Sequence, residues 1–184
     1  MTTTKLKQIA DNENGEYSIK EHKRVFTDGS RCPEIEHKIQ FSYTECNIEI
    51  LISTGFKEAA NINCTLSSYI QSLDFEIESI SPFINLFLRK KSRFKVKCRH
   101  KNFKYFLENK ALIIFEETMK TKNFAPNIFS KNNGLHNRIV MEFHLAFSEW
   151  VEIFESVILF FKTIIDELKS DNRFISSTHY KENN

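Results

Sequence analysis

The stretch RIVMEFHLAFSEWVEIFESVILFFKTIIDELK, residues 138–169, is the most informative part of the sequence about the fold. The spacing of its apolar residues changes once, from that of a strand to that of a helix. In residues 138–147 apolar and polar side chains alternate, which is typical of a strand with one buried face. Ser148 then predicts the N-cap of a helix that runs to about Lys169. The apolar positions of this helix follow the spacing of one buried stripe. They are Trp150, Ile153, Phe154, Val157, Ile158, Phe161, Ile164, Ile165 and Leu168.

Towards the N-terminus, short polar turns separate several stretches with a strand-like pattern. These stretches are residues 16–27, 35–43, 48–53, 61–69, 73–80 and 92–99. Because the loops between successive strands are short, the pattern predicts an antiparallel meander. Residues 83–89 carry a short helical pattern after Pro82, and residues 102–108 fit one or two helical turns. Residues 121–134 are rich in Asn and are expected to form a loop.

These elements together predict an α+β fold, in which a largely antiparallel β-sheet, or a partly closed barrel, packs against the long C-terminal helix. The expected domain is residues 15–170. Residues 1–14 and 171–184 are polar and show no periodicity, so each is expected to be a flexible tail. A domain of this length buries about 70% of the surface that its unfolded chain exposes, so it needs no disulfide or metal to fold.

The cysteines and the apolar runs indicate the cell compartment. Cys32, Cys46, Cys64 and Cys98 are far apart and form no C-x-x-C pair, so they predict reduced thiols and a cytoplasmic protein. The first residues lack the apolar stretch of a signal peptide. The longest apolar run, Val157 to Phe161, is far shorter than the ~20 residues that cross a membrane, so no integral membrane span is expected.

The clearest functional hint is a basic segment, residues 89–104, which contains no acidic residue. The whole chain has a net charge of only +2 at pH 7, so its positive charge is concentrated here. On a strand, alternate residues from Arg93 to Arg99 place four charges about 6.6–6.8 Å apart, a spacing comparable with that of phosphates along a nucleic-acid strand. Tyr105 adds a surface on which a base can stack. The predicted ligand-binding residues are Arg89, Lys90, Lys91, Arg93, Lys95, Lys97, Arg99, Lys101 and Tyr105.

A competing interpretation comes from the strand at residues 73–80, which carries Asp74, Glu76 and Glu78 on one face. If this acidic row pairs with the basic strand, the two rows form a ladder of exposed ion pairs with no binding function. The ladder would occupy three of the four charges on the basic strand.

Motifs for catalysis and cofactor binding are scarce. Glu142 and His144 lie two residues apart on a predicted strand, where a carboxylate could orient an imidazole, but no nucleophile motif such as G-x-S-x-G accompanies them. The isolated glycines form neither a P-loop nor a dinucleotide fingerprint. The spacing of Cys and His residues matches no zinc site. The sequence therefore predicts no cofactor and no metal, and it favours a protein without catalytic activity.

Two functions follow from these observations. The first is a non-catalytic binding module that recognises an anionic partner (a nucleotide, a nucleic acid, an anionic lipid headgroup or an acidic protein) through the basic segment. The alternative is a protein–protein interaction or assembly subunit, including a homo-oligomer, that uses excess apolar surface on the long helix. A small enzyme built around Glu142 and His144 is the third hypothesis. Pairing of the acidic row with the basic strand would weaken the first hypothesis.

Overall fold

The structure is a computed structural model that describes residues 2–25, 27–70, 73–80, 93–121, 124–132 and 137–179. The strands are β1 (Glu16–Val25), β2 (Arg31–Tyr43), β3 (Cys46–Gly55), β4 (Ala59–Thr65), β5 (Phe75–Ser79), β6 (Phe94–Cys98), β7 (Asn127–Asn132) and β8 (Asn137–His144). The helices are α1 (Thr2–Asn12), α2 (Lys101–Phe106), α3 (Glu116–Thr121) and α4 (Ile153–His179). A π-helical turn (Leu107–Ala111) and a 3-10 turn (Leu112–Phe115) join α2 to α3, and a 3-10 turn (Trp150–Glu152) precedes α4.

The strands form one antiparallel sheet in the order β1-β2-β3-β4-β8-β7-β5-β6. The first four strands are the predicted meander. β8 then pairs with β4, although it follows β4 by four strands in the chain, and β7 connects it to the β5–β6 hairpin at the far edge. The predicted α+β fold, with its antiparallel sheet and C-terminal helix, is confirmed. The sheet stays open at β1 and β6, so the barrel alternative is wrong.

One face of the sheet and the helices form a single core. The predicted stripe of α4 is confirmed, because its residues Ile153, Phe154, Val157, Phe161, Ile164 and Leu168 are all buried. Aromatic rings link the helical layer to the sheet: the Phe143 and Phe154 centroids are 5.9 Å apart, and those of Phe124 and Phe143 are 4.9 Å apart. Such ring pairs stabilise a core beyond the burial of their area.

The N-terminal residues form α1 rather than the flexible tail that the sequence predicted. α1 buries Leu6, Ile9 and Ala10 in the core. Just after it, the Glu13 carboxylate lies 2.5 Å from the Lys162 ammonium of α4. A Cβ atom on Gly15 would lie only 2.6 Å from the main-chain oxygen of Gln40, so the chain needs a glycine where it passes from α1 to the sheet. Three apolar side chains are too few to show a period in the sequence, but tertiary packing is sufficient to stabilise such a short helix.

Two further local predictions are wrong. Ser148 does not cap the C-terminal helix; Glu149 adopts a left-handed conformation (φ 56°) and helical geometry begins with the 3-10 turn at Trp150. β7 lies within residues 121–134, which were expected to form a loop. This segment has few apolar residues, and its hydrogen bonding to β5 and β8 on both sides makes it a strand.

The C-terminal helix is longer than predicted. α4 continues to His179, into the residues that were expected to form a tail from residue 171. The short helix predicted at residues 83–89 lies outside the described residues, as do residues 180–184.

Candidate functional site

The described part of the basic segment, residues 93–104, lies at one edge of the sheet, in β6 and the start of α2. Phe94 and Val96 of β6 are buried, whereas Lys95 and Lys97 point to the other face and are exposed. This alternation is the one that the sequence predicted. Outside the described residues lie Arg89, Lys90 and Lys91.

β5 pairs with β6, and the pairing places the acidic row beside the basic strand. Glu76 lies opposite Lys97, and Glu78 lies opposite Lys95. The Lys97 ammonium is 2.9 Å from Glu76 and 2.7 Å from Glu78, and the Lys95 ammonium is 3.5 Å from Glu78. The hydrogen bond between Lys97 and Glu78 lowers the pKa of the glutamate and raises the pKa of the lysine. The ladder of ion pairs is therefore present, and it neutralises two of the predicted binding residues.

The side chain of Arg93 is bound within the protein. Its side chain is half-buried, and its Nη1 donates a hydrogen bond to the main-chain oxygen of Met119 in α3. Its Nε atom is buried and has no hydrogen-bond partner among the described residues. A guanidinium held in this way is poorly placed to meet an external anion.

The rest of the predicted site lies where β6 joins α2. Arg99 and Lys101 are exposed and form no ion pair with a described residue. Tyr105 is 66% exposed. Lys104 lies 3.8 Å from Glu108 on the same helix. The cationic surface that stays available within the described part of the basic segment is therefore Arg99 and Lys101, with Tyr105 nearby.

The sheet face opposite the helices is a second candidate surface, which the sequence analysis did not identify. The helices pack on the core side of the sheet, and no helix in the described part of the chain covers the opposite face, which we call the uncovered face. This face is not uniformly polar. Val140 is only 5% exposed although it lies outside the main core cluster, and it sits in register between Asn63 and the half-buried Phe129.

A depression of about 670 Å³ lies on the uncovered face, where β2, β3, β4 and β8 run side by side. Its lining includes Glu36, Leu51, Ser53, Asn61, Glu142 and His144. Glu36, Ser53, Ala59 and His144 occupy one register row across the four strands. The side chain of Ala59, between Ser53 and His144, is only a methyl group. The surface is therefore recessed at this point, which contributes to the depression.

Hydrogen bonds fix the position of Glu142 in the depression. The Asn63 side-chain amide donates to Oδ1 of Asn61 at 2.6 Å, and the Asn61 amide donates to Oε1 of Glu142 at 2.8 Å. Asn61 and Glu142 are direct neighbours in the β4–β8 register. This chain of amides orients the carboxylate, whose second oxygen accepts no hydrogen bond from a described residue and can accept one from a ligand.

The sequence identified Glu142 and His144 but missed their neighbours. Glu36, Ser53 and Asn61 come from three other strands, and only the strand order brings them together. The outward asparagines of the Asn61-Ile-Asn63 alternation were a usable signal, because polar amides at successive outward positions of a central strand can bind one another or a ligand.

Glu142 and His144 are not hydrogen-bonded to each other in the depression. The side chain of His144 makes no hydrogen bond or ion pair with any described residue, and Glu142 is bonded to Asn61 instead. Within the described ranges, no group of three or more His, Cys, Asp or Glu side chains could hold a metal ion. The four cysteines are free thiols; Cys46 and Cys64 are buried, and Cys32 and Cys98 are half-buried.

Comparison with known proteins found no match to this chain. The chain matches no protein-family model, no curated protein and no solved structure. Of the helices in the described ranges, none has the length and apolar character that crossing a membrane requires.

Proposed function

We propose that this protein is a non-catalytic interaction module of the cytoplasm that recognises a protein partner with the uncovered face of its sheet. The observation that carries the proposal is the depression on that face, which combines the apolar Leu51 with oriented polar groups such as Glu142. Binding sites typically combine an apolar floor with a few well-placed polar groups. The four free thiols suit a reducing compartment.

The ion pairs of β5 and β6 favour this function over recognition of an anion by the whole basic segment. Lys95 and Lys97 already bind glutamates, and Arg93 binds main chain. An anion would have to displace these partners. At the depression, no ion pair between described residues has to be broken.

Substitution of Leu51 by arginine tests the proposal, because Leu51 is half-buried in the depression and outside the core. The matched control is Ile113→Arg, which changes an exposed apolar residue of the helical layer. Partners captured from a cell extract should be purified and their affinities measured with each variant. We expect Leu51→Arg to weaken binding at least about tenfold, since a charge in an apolar contact is costly, and Ile113→Arg to leave it unchanged.

The reverse result, with Ile113→Arg defective and Leu51→Arg normal, would move the interface to the helices. Sedimentation of the wild type over a range of concentrations shows whether the partner is a second copy of the chain. Circular dichroism of each variant confirms that the fold is intact.

Anion binding stays a second candidate, because Arg99 and Lys101 are exposed without a described ion-pair partner and Tyr105 lies nearby. Titration with single-stranded oligonucleotide and with anionic vesicles at several salt concentrations tests it. Two phosphate contacts give a slope of log affinity against log salt of about −1.4 for a single strand. Arg99→Gln with Lys101→Gln should abolish this slope. Lys95→Gln with Lys97→Gln makes the same charge change and should preserve it.

A further inference from the structure

The glutamates of the uncovered face fall into two groups. Outside the depression, Glu49 lies 2.5 Å from Lys38 and the two glutamates of the β5–β6 ladder also have lysine partners, whereas Glu16 and Glu34 form no ion pair with a described residue. Glu36 and Glu142, which line the depression, form no ion pair with a described residue. Where the uncovered face is concave, two carboxylates therefore have no ion-pair partner among the described residues.

The spacing of these two carboxylates argues against a metal ion as their partner. Glu36 lies on β2 and Glu142 on β8, with β3 and β4 between them. Three strand spacings and a register offset of two residues separate their Cα atoms by about 16 Å. Oxygen ligands of one metal ion must approach it within about 2.0–2.6 Å, so these carboxylates suit two separate cationic groups.

We propose that the depression binds a basic segment of the protein partner, with one Lys or Arg side chain at Glu36 and a second at Glu142. This inference rests on the proposed interaction function and names the chemistry of the partner. The lining contains two glutamates and one lysine, Lys57, which gives it an excess of one carboxylate on a chain whose overall charge is +2; Lys20 of β1 lies opposite Glu36 outside the lining and forms no ion pair with it.

The lining also suits the rest of such a segment. Leu51 and Ala59 provide apolar surface against which the aliphatic stems of Lys and Arg can pack. Asn61 donates to Oε1 of Glu142, and no described residue donates to Oε2, which can accept a hydrogen bond from the segment. In an extended peptide, residues i and i+4 are about 13 Å apart, so their long side chains reach both carboxylates.

The experiment measures binding of a labelled, capped peptide Arg-Ala-Ala-Ala-Arg by fluorescence anisotropy at low salt. Comparison peptides place the two arginines next to each other or replace both by glutamate, and arginine amide serves as a single cation. We expect the spaced peptide to bind most tightly and added salt to weaken it. Glu36→Gln and Glu142→Gln should each weaken binding about threefold, and together about tenfold.

Glu49→Gln with Glu78→Gln is the matched control, because it removes the same charge from the same face at glutamates that already have lysine partners. It should leave the affinity for the spaced peptide unchanged. Equal loss from both double variants would mean that the peptide senses only net charge, and this would overturn the inference. Arginine amide binding as tightly as the peptide would overturn it as well, since the site would then take a lone small cation.

The two proposals fail in different ways. If Leu51→Arg abolishes partner binding and Glu36→Gln with Glu142→Gln does not, the uncovered face is the interface but its partner is not basic, so only the inference falls. If Leu51→Arg leaves the partner bound, the proposed function falls too.

Discussion

At the scale of single residues, His37 is the clearest case in which burial in the fold changes the pKa of a side chain. It occupies an inward position of β2 and is 5% exposed. Its Nδ1 atom lies 2.8 Å from the Tyr17 hydroxyl, and the two rings are stacked at 6.1 Å. Burial removes water from the imidazole, disfavours its charged form and lowers the pKa of His37 below its usual range.

This shift predicts a loss of stability in mild acid. Because the pKa of His37 is lower in the folded state, the unfolded chain binds a proton more readily below about pH 6.5. The contribution of His37 to the free energy of unfolding is therefore complete above that pH and declines as the pH falls towards the lowered pKa. Chemical denaturation of wild type and His37→Gln between pH 7.5 and 5 measures it: the stability difference between them should shrink as the pH falls.

Tyr17→Phe is the control for the cause of this effect. It removes the hydrogen bond but keeps the ring, so the pH dependence due to burial should persist. A difference between wild type and His37→Gln that stays constant across this pH range would contradict the assignment to burial.

At the scale of elements, α1 shows how few contacts fix a helix. Its sequence has no acidic residue in the first turn and no basic residue in the last, so it lacks favourable interactions with the helix dipole. What holds it is burial of Leu6, Ile9 and Ala10, with an ion pair from Lys5 to Glu152 at 3.4 Å. An exposed pair of this kind contributes little, so packing carries the stability of the helix.

Leu6→Ala should therefore destabilise the whole domain, although Leu6 lies in a segment predicted to be a tail. Leu6 is completely buried, and removing such a side chain costs about 2–5 kcal/mol of unfolding free energy. Lys7→Ala changes the exposed neighbour and should cost much less. Urea denaturation compares the two variants. Equal midpoints for both would show that α1 is not part of the core in solution.

At the scale of the whole molecule, the strand order joins the N-terminal and C-terminal parts of the chain in one sheet. β8 lies between β4 and β7, so the last strand in the sequence pairs with the meander on one side and leads to the β5–β6 hairpin on the other. The buried residues of both halves of the sheet and of all the helices belong to one cluster. A continuous core of this kind favours a single cooperative transition.

We therefore expect unfolding in one step. Trp150, the single tryptophan, packs against Phe154 at the start of α4 and reports on tertiary structure there, while far-UV circular dichroism reports on the whole sheet. The two signals should give the same midpoint in urea. Separate midpoints would show that residues 15–170 contain more than one folding unit.

The local pattern of apolar and polar residues predicted most of the strands and the long helix. The period of two predicted most strands, and the period of 3.6 predicted the stripe of α4, because each side chain's direction depends only on its own backbone. The same alternation correctly predicted that the side chains of Lys95 and Lys97 are exposed. Where apolar residues were too sparse to reveal a period, as in α1 and β7, local pattern was insufficient.

Which rows of side chains meet depends on how the strands pair in the folded protein. The order β4-β8-β7-β5 depends on pairing between residues far apart in the chain, which no local period encodes. Strand pairing also placed Glu76 and Glu78 of β5 against Lys95 and Lys97 of β6 and so neutralised two charges of the predicted anion site. It also aligned Glu36, Ser53 and Glu142 around the short side chain of Ala59, and a depression formed on a face that the sequence marked only as polar.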